Sequence, residues 1–207
     1  MNINEIYRSI QGEGLLVGSP CVFIRIQGCN LRCPWCDQPS SLGFVERYVE
    51  VKEIVRKVEE YKCKHVVITG GEPFTEPNLH FLVKLLLQKD FFVQIETNGT
   101  LWNENLTEVG DRLYISCSPK READFYVDQH ILRFSKEMKF VVDENFEDDI
   151  ILEDKFRRFL EEGKIILQPE NNRKDMFFKA LNIQNKLLNL DFVVRIIPQI
   201  HKVFNIP

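Results

Sequence analysis

Histidine is scarce in this chain. There are four in 207 residues (His65, His80, His130 and His201), and none stands beside Cys29, Cys33 or Cys36. A structural zinc site needs a fourth Cys or His at close spacing, so this scarcity speaks against one. Long apolar runs are missing too, and none approaches the roughly 20 residues that cross a bilayer. The first residues, Met1, Asn2, Ile3, Asn4 and Glu5, hold no apolar stretch of the kind a secretory signal carries. Basic residues are not in excess: 27 Lys and Arg stand against 31 Asp and Glu, a net charge of -4. That balance offers no cationic face for phosphate backbones, and local pairs such as Lys120-Arg121 and Arg157-Arg158 read as solvated surface. No repeat, linker or low-complexity segment interrupts the chain. These absences predict one domain over residues 1–207, cytoplasmic, with no nucleic-acid or membrane partner. In that compartment clustered thiols stay reduced and serve as metal ligands more often than as disulfides.

Against this background three cysteines fall within eight residues, Cys29, Cys33 and Cys36. They supply three thiolates to one centre and leave any fourth position open. A four-iron cluster has four corners, so a three-cysteine clamp frees one iron to bind something else. A zinc site, or three incidental buried cysteines, is the alternative. Of the remaining cysteines, Cys21, Cys63 and Cys117 have no partner at metal-ligand spacing.

Strand-like apolar runs at 21–26, 65–69, 91–95, 113–116, 139–142, 164–167 and 192–197 alternate with helix-period segments at 51–61, 78–88, 146–162 and 174–188. Residues 102–112 and 121–136 are ambiguous. The alternation predicts an α/β fold with a parallel sheet covered by helices. In such folds ligand chemistry collects at the carboxyl ends of strands. The unusual residues fall there: Gly28-Cys29, Gly70-Gly71-Glu72-Pro73, Glu96-Thr97-Asn98-Gly99, Ser116 through Lys120, and Gln168-Pro169.

The cysteine triplet, with Trp35 before its last member and Gly70-Gly71-Glu72-Pro73 at a strand end, resembles the radical S-adenosylmethionine (SAM) superfamily. The segments from Glu5 to Gly14, from Phe23 to Cys33, and Pro198-Gln199-Ile200-His201-Lys202 near the end resemble the 7-carboxy-7-deazaguanine synthase family within it. The resemblance implies a partial (β/α)6-type barrel in a single domain, with a shortened or modified helical layer. It implies a [4Fe-4S] cluster on Cys29, Cys33 and Cys36, with SAM at the open iron and Mg2+ nearby. The implied reaction contracts the ring of 6-carboxy-5,6,7,8-tetrahydropterin to 7-carboxy-7-deazaguanine with loss of ammonia, in queuosine and 7-deazapurine biosynthesis. A flavodoxin- or ferredoxin-type electron donor and a homodimer are implied as well. A glycyl-radical-enzyme activating protein and a zinc-binding interaction module are the rival readings.

By the same resemblance, Glu72 takes the SAM ammonium, Thr69, Gly70 and Gly71 its strand edge, Ser118 and Lys120 the ribose or carboxylate, and Gln168 the adenine side. The pterin falls to Gln11, Gly12, Glu13, Gly14, Arg25 and His201, with Asn98 able to serve either ligand and the carboxylate of Pro207 within reach. Gln11, Glu13 and His201 offer the hydrogen-bonding types that a pterin edge needs. Apolar neighbours Ile24 and Ile26 favour an inward, paired Arg25 over a surface charge. Mg2+ is assigned to Asp37, Gln38 and Ser40, with Ser41 a further substitute, because Gln38 stands where members of the family commonly carry Thr.

Overall fold

The computed structural model describes residues 1–107 and 110–206. One eight-stranded sheet runs in chain order: β1 (Ile3–Ile10), β2 (Pro20–Ile26), β3 (His65–Gly70), β4 (Phe92–Thr97), β5 (Leu113–Cys117), β6 (Ser135–Val142), β7 (Ile165–Pro169) and β8 (Arg195–Ile196). The first pair is antiparallel and every later pair parallel. Strands β2 to β7 therefore form the six-strand parallel core of an α/β domain. A single cavity is lined by Tyr7, Arg25, Thr69, Glu96, Ser116, Lys139 and Gln168, one residue from each of the first seven strands. A flat sheet could not bring seven strands to one space, so the sheet curls into a partial barrel.

Period-two alternation separates the two faces of each strand. On β2, Val22, Ile24 and Ile26 are fully buried in the large cluster beneath the helices. Burial of this kind stabilises the fold by about 1.5–3 kcal/mol per side chain. Cys21 and Phe23 point the other way, forming with Val67 and Tyr7 a small apolar floor. Above that floor the inward positions turn polar.

The outer layer holds α1 (Val51–Glu60), α2 (Leu79–Gln88), α3 (Gln129–Phe134), α4 (Arg157–Glu161) and α5 (Lys174–Leu188), with α6 (Ile200–Phe204) in the tail. No helix is long and apolar enough to cross a membrane among the described residues. The layer is shortened as the resemblance implied: no α-helix intervenes between β4 and β5 among the described residues, and α3 and α4 have only 6 and 5 residues. The single helix predicted over 146–162 is replaced by two 3-10 turns and α4, because Glu147 and Glu153 adopt extended backbone angles. Fully buried Phe156 meets Phe140 of β6 edge-on at 5.1 Å, a contact outside the segment that dictates its path. Strand β1 had no counterpart in the sequence expectations, and the strand predicted at 192–197 shrinks to the two residues of β8.

Candidate active site

The cysteine loop begins where β2 ends. Gly28, at a φ of +104°, turns the chain, and its amide donates to the Ser41 carbonyl while the Cys29 amide donates to Leu42. Pro34 occupies the second position of a turn closed by the Cys36 amide on the Cys33 carbonyl at 3.2 Å, a position its fixed φ suits. All six cysteines are free, and Cys29, Cys33 and Cys36 line the cavity. Burial raises the thiol pKa of Cys29, and raises that of Cys33 to about 12. Among the described residues the one trio of ligand atoms converging within 4.8 Å is Glu13, Asp37 and His201. Three thiols around one space, with no fourth Cys lining it among the described residues, fit a cluster with an open corner.

The Gly70-Gly71 pair serves a close approach between chain segments. A Cβ on Gly70 would lie 2.4 Å from backbone atoms of Ile26, and one on Gly71 only 1.9 Å from the Gly28 carbonyl oxygen. Gly71→Ala is therefore expected to push the cysteine loop off β3, lowering both Tm and iron bound per chain after reconstitution. Gly110→Ala, where an added Cβ meets nothing within 4 Å, should leave both unchanged.

Glu72, assigned from the resemblance to the SAM ammonium, has a structural task of its own. It is fully buried and absent from the cavity wall. Its carboxylate accepts from Thr97 Oγ1 at 2.7 Å, the Asn98 amide at 2.6 Å and the Phe74 amide at 3.1 Å. Burial raises its pKa in spite of these bonds. It clasps the loop after β3 to the loop after β4, because amides left bare at those strand ends need an acceptor. Asn98 carries the connection on, donating to Asn30 beside Cys29 at 2.9 Å. Asn98 itself reaches the cavity, as do Thr69, Gly70 and Gly71.

Ser118, Lys120 and Gln168 also line the cavity. Lys120 donates to Ser118 Oγ at 2.6 Å and lies 4.8 Å above the Trp35 ring. Burial lowers its pKa. Gln168 Oε1 is a buried acceptor without a partner among the described residues, suited to a ligand's N–H. Arg25 is inward and paired, donating to Glu5 at 2.7 Å and to the Tyr7 hydroxyl at 2.7 Å.

The segment after β1 also lines the cavity, through Gln11, Gly12 and Glu13. The Gln11 side chain donates to Gln94 and Glu96 and accepts from the Glu13 amide. Glu13 accepts from Lys139 Nζ at 2.7 Å and Gln199 Nε2 at 2.8 Å. The tail closes over this segment: Ile200 donates to the Gly12 carbonyl, and a Cβ on Gly12 would come within 2.5 Å of His201 Nδ1. Gln199 Nε2 also donates to Asp37 at 2.9 Å, with Lys202 Nζ 3.4 Å and His201 Nε2 3.8 Å from the same carboxylate. Burial pushes the Asp37 pKa up, but these groups hold it well below the carboxylate range.

Gln11, Gly12, Glu13, Asp37, Gln38 and His201 thus meet at the cavity, whereas Gly14 and Ser40 do not line it. Ser40 is exposed, with its carbonyl held by Asn4 and Gln27, and Ser41 is buried with its hydroxyl on the Gln38 carbonyl. Pro207 lies outside the described residues. Sequence reasoning missed Glu96, Lys139 and Gln199. A signal existed: polar residues recur at alternate positions of β4 (Gln94, Glu96) and β6 (Glu137, Lys139), within strands that a doubly covered parallel sheet would make apolar throughout.

A family model described as the radical SAM superfamily matches residues 23–118. The chain is 53% identical over 204 residues to a 7-carboxy-7-deazaguanine synthase of Aquifex aeolicus, covering 99% of this chain and 93% of that protein. It is 32% identical over 209 residues to the enzyme of the same name from Thermoplasma acidophilum, covering 98% and 96%. Among solved structures, QueE from Escherichia coli superposes with a TM-score of 0.71 at 27% identity, covering 96% of this chain and 93% of that one.

Proposed function

The chain belongs to the 7-carboxy-7-deazaguanine synthase family of radical SAM enzymes, and from that premise we infer how its cavity divides between cofactor and substrate. The protein is a radical SAM lyase that contracts the ring of 6-carboxy-5,6,7,8-tetrahydropterin to 7-carboxy-7-deazaguanine with release of ammonia. One observation carries the division: a single cavity of about 350 Å3 is lined both by the three thiols and by the Gln11, Glu13, Glu96 and Lys139 network. Its volume lies in the range of roughly 300–1,000 Å3 usual for small-molecule sites. The tail contributes Gln199, His201, Lys202 and Ile206 to the lining of this cavity, which favours a small-molecule substrate over the protein substrate of a glycyl-radical activating enzyme.

Cys29, Cys33 and Cys36 hold the [4Fe-4S] cluster. The cluster and SAM, when bound, would supply a radical able to take hydrogen from the pterin. The amino-acid part of SAM falls to the backbone at Thr69 to Gly71 and to Lys120, the adenine to Gln168. The donor-rich pterin edge pairs with Glu13 and Glu96, and Gln11 holds the two in register. Arg25 and His201 face the substrate's acceptors. Water is excluded by α6, which is tied across the mouth through Gln199. A flavodoxin- or ferredoxin-type donor, a homodimer and a cytoplasmic setting complete the proposal, the last supported by six free cysteines.

Mg2+ is proposed at Asp37 and Gln38, the two assigned residues on the cavity wall. Carboxylate and amide oxygens suit this hard cation, and an imidazole does not. Asp37→Asn is expected to raise the Mg2+ concentration for half-maximal turnover by about 10- to 100-fold. Ser40→Ala should leave the magnesium titration unchanged.

The test of the whole reading is anaerobic turnover of reconstituted protein with reductant, SAM, Mg2+ and the tetrahydropterin, read by mass analysis. Formation of 7-carboxy-7-deazaguanine is the expected result. Cleavage of SAM with the pterin untouched would overturn the substrate while leaving the superfamily chemistry standing.

A further inference from the structure

Two charged residues on the inward face of β6, Glu137 and Lys139, both reach the segment 11–15. Lys139 takes the Glu13 side chain. Glu137 takes the backbone: its carboxylate accepts from the Leu15 amide at 2.7 Å, and also from Tyr114 Oη at 2.9 Å and Ser116 Oγ at 2.5 Å. Glu137 is fully buried and does not line the cavity. A carboxylate in such a place is costly unless its oxygens are satisfied, and here two hydroxyls and one amide satisfy them.

Gly14 shows that the contact constrains the chain. Its φ of +69° is a left-handed conformation, and a Cβ there would lie 2.3 Å from Glu137 Oε1. Only glycine lets the loop turn at that angle and press onto the carboxylate. The loop is thus held at two points, Leu15 by Glu137 and Glu13 by Lys139, with Gly14 between them.

We propose that Glu137 is a positioning residue for pterin recognition, fixing the 11–15 loop through the Leu15 amide so that Gln11 and Glu13 face the substrate. The proposal rests on the assignment of Gln11 and Glu13 to the pterin made above. It predicts a selective defect, because the cysteine loop and the wall of Thr69 to Gly71 have no bond to Glu137.

The test compares steady-state kinetics of Glu137→Leu, Glu137→Gln and Gly14→Ala in reconstituted protein. Glu137→Leu removes the acceptor and is expected to raise KM for the pterin by about 10- to 100-fold, with KM for SAM and the cluster's electron paramagnetic resonance signal unchanged. Glu137→Gln keeps one oxygen that accepts from both the Leu15 amide and Tyr114 Oη, while its amide nitrogen takes the other position and donates to Ser116 Oγ, so it should stay within about threefold of the native enzyme. Gly14→Ala drives the loop off the same carboxylate and should reproduce the leucine variant's pterin defect, which keeps the test open if Glu137→Leu folds poorly. The double variant should be no worse than either single one, as expected for residues sharing one contact. A pterin KM within twofold of native in Gly14→Ala, or equal rises in both KM values, would overturn the proposal. Failure of the native enzyme to turn over the pterin would fall on the substrate assignment instead. Hydrogen exchange at the Leu15 amide, protected in the native chain and expected to be unprotected in Glu137→Leu, judges the loop contact apart from any substrate.

Discussion

Lys139→Met is expected to lower kcat/KM for the pterin by about 100- to 1,000-fold and to move the acid limb of the pH profile to higher pH. Lys139 Nζ sits 2.7 Å from Glu13 Oε2 and 3.4 Å from Glu96 Oε1, with its side chain 6% exposed. Burial alone would lower its pKa, but Glu13, Glu96 and Glu137 hold it well above the lysine range, so it is charged at any working pH. Methionine keeps the length and removes the charge. Two half-buried carboxylates are then left without their shared cation, and the cost approaches the roughly 3–5 kcal/mol of breaking a buried pair.

The direction of the pH shift follows from Glu13. Burial raises its pKa and the nearby Asp37 charge adds to that, but the Lys139 ammonium and the hydrogen bonds from Lys139 and Gln199 bring it below the ordinary carboxylate value. In the native enzyme Glu13 is therefore ionised throughout the neutral range. The stabilisation from its pairing is complete above the unfolded carboxylate pKa of about 4.3 and is lost as pH falls through the lower folded value. Without Lys139, burial and Asp37 act unopposed by that charge, and the proton returns at higher pH. A variant with the native pH profile would show that Lys139 does not set the charge of Glu13. Lys139→Arg, which keeps the charge in a bulkier fork, should recover the acid limb better than it recovers KM.

Glu72→Ala should be the largest stability loss among the loop residues. It leaves Thr97 Oγ1 and the amides of Asn98 and Phe74 buried without their acceptor. Bare donors cost about 1–3 kcal/mol each, and relaxation recovers part of that, so a loss of roughly 3–5 kcal/mol is expected. For a chain of this size, thermal scans of the cluster-free protein would then show Tm lower by about 6–20 °C. A residue whose only task is to receive the SAM ammonium would leave that Tm untouched and weaken SAM binding alone, so the cluster-free scan separates the two roles. SAM binding should weaken too, because Asn98 and the cysteine loop lose their alignment.

Much of the scaffold was legible in the chain because it rests on local pattern. The runs at 65–69 and 113–116 coincide with β3 and β5 to within a residue, since β-branched residues bounded by glycine or polar turns mark buried strands. The segment 146–162 was not legible. Its buried positions, Phe146, Ile151, Phe156, Phe159 and Leu160, follow no continuous helical stripe, and contact with β6 broke the helix that the local pattern favours. Strand β1 escaped because its residues alternate poorly and it pairs antiparallel at the sheet's edge. Residues 108 and 109, inside the undecided stretch 102–112, lie outside the described residues.

For the site, sequence alone determined the three-cysteine loop after the first parallel strand and the glycine-rich turn after the next, because spacing within a few residues is enough to state such things. The assignment of Gln11, Glu13 and His201 to the substrate came from the family resemblance, and the structure places all three on the cavity wall. Only the tertiary structure decided that Glu72 turns inward as a clasp, that Ser40 faces solvent, and that Glu13 meets Lys139 and Gln199, which are 126 and 186 positions further along the chain. Those meetings depend on strand register and on the curl of the sheet. Both are fixed by the packing of the whole core, so no local stretch of sequence contains them.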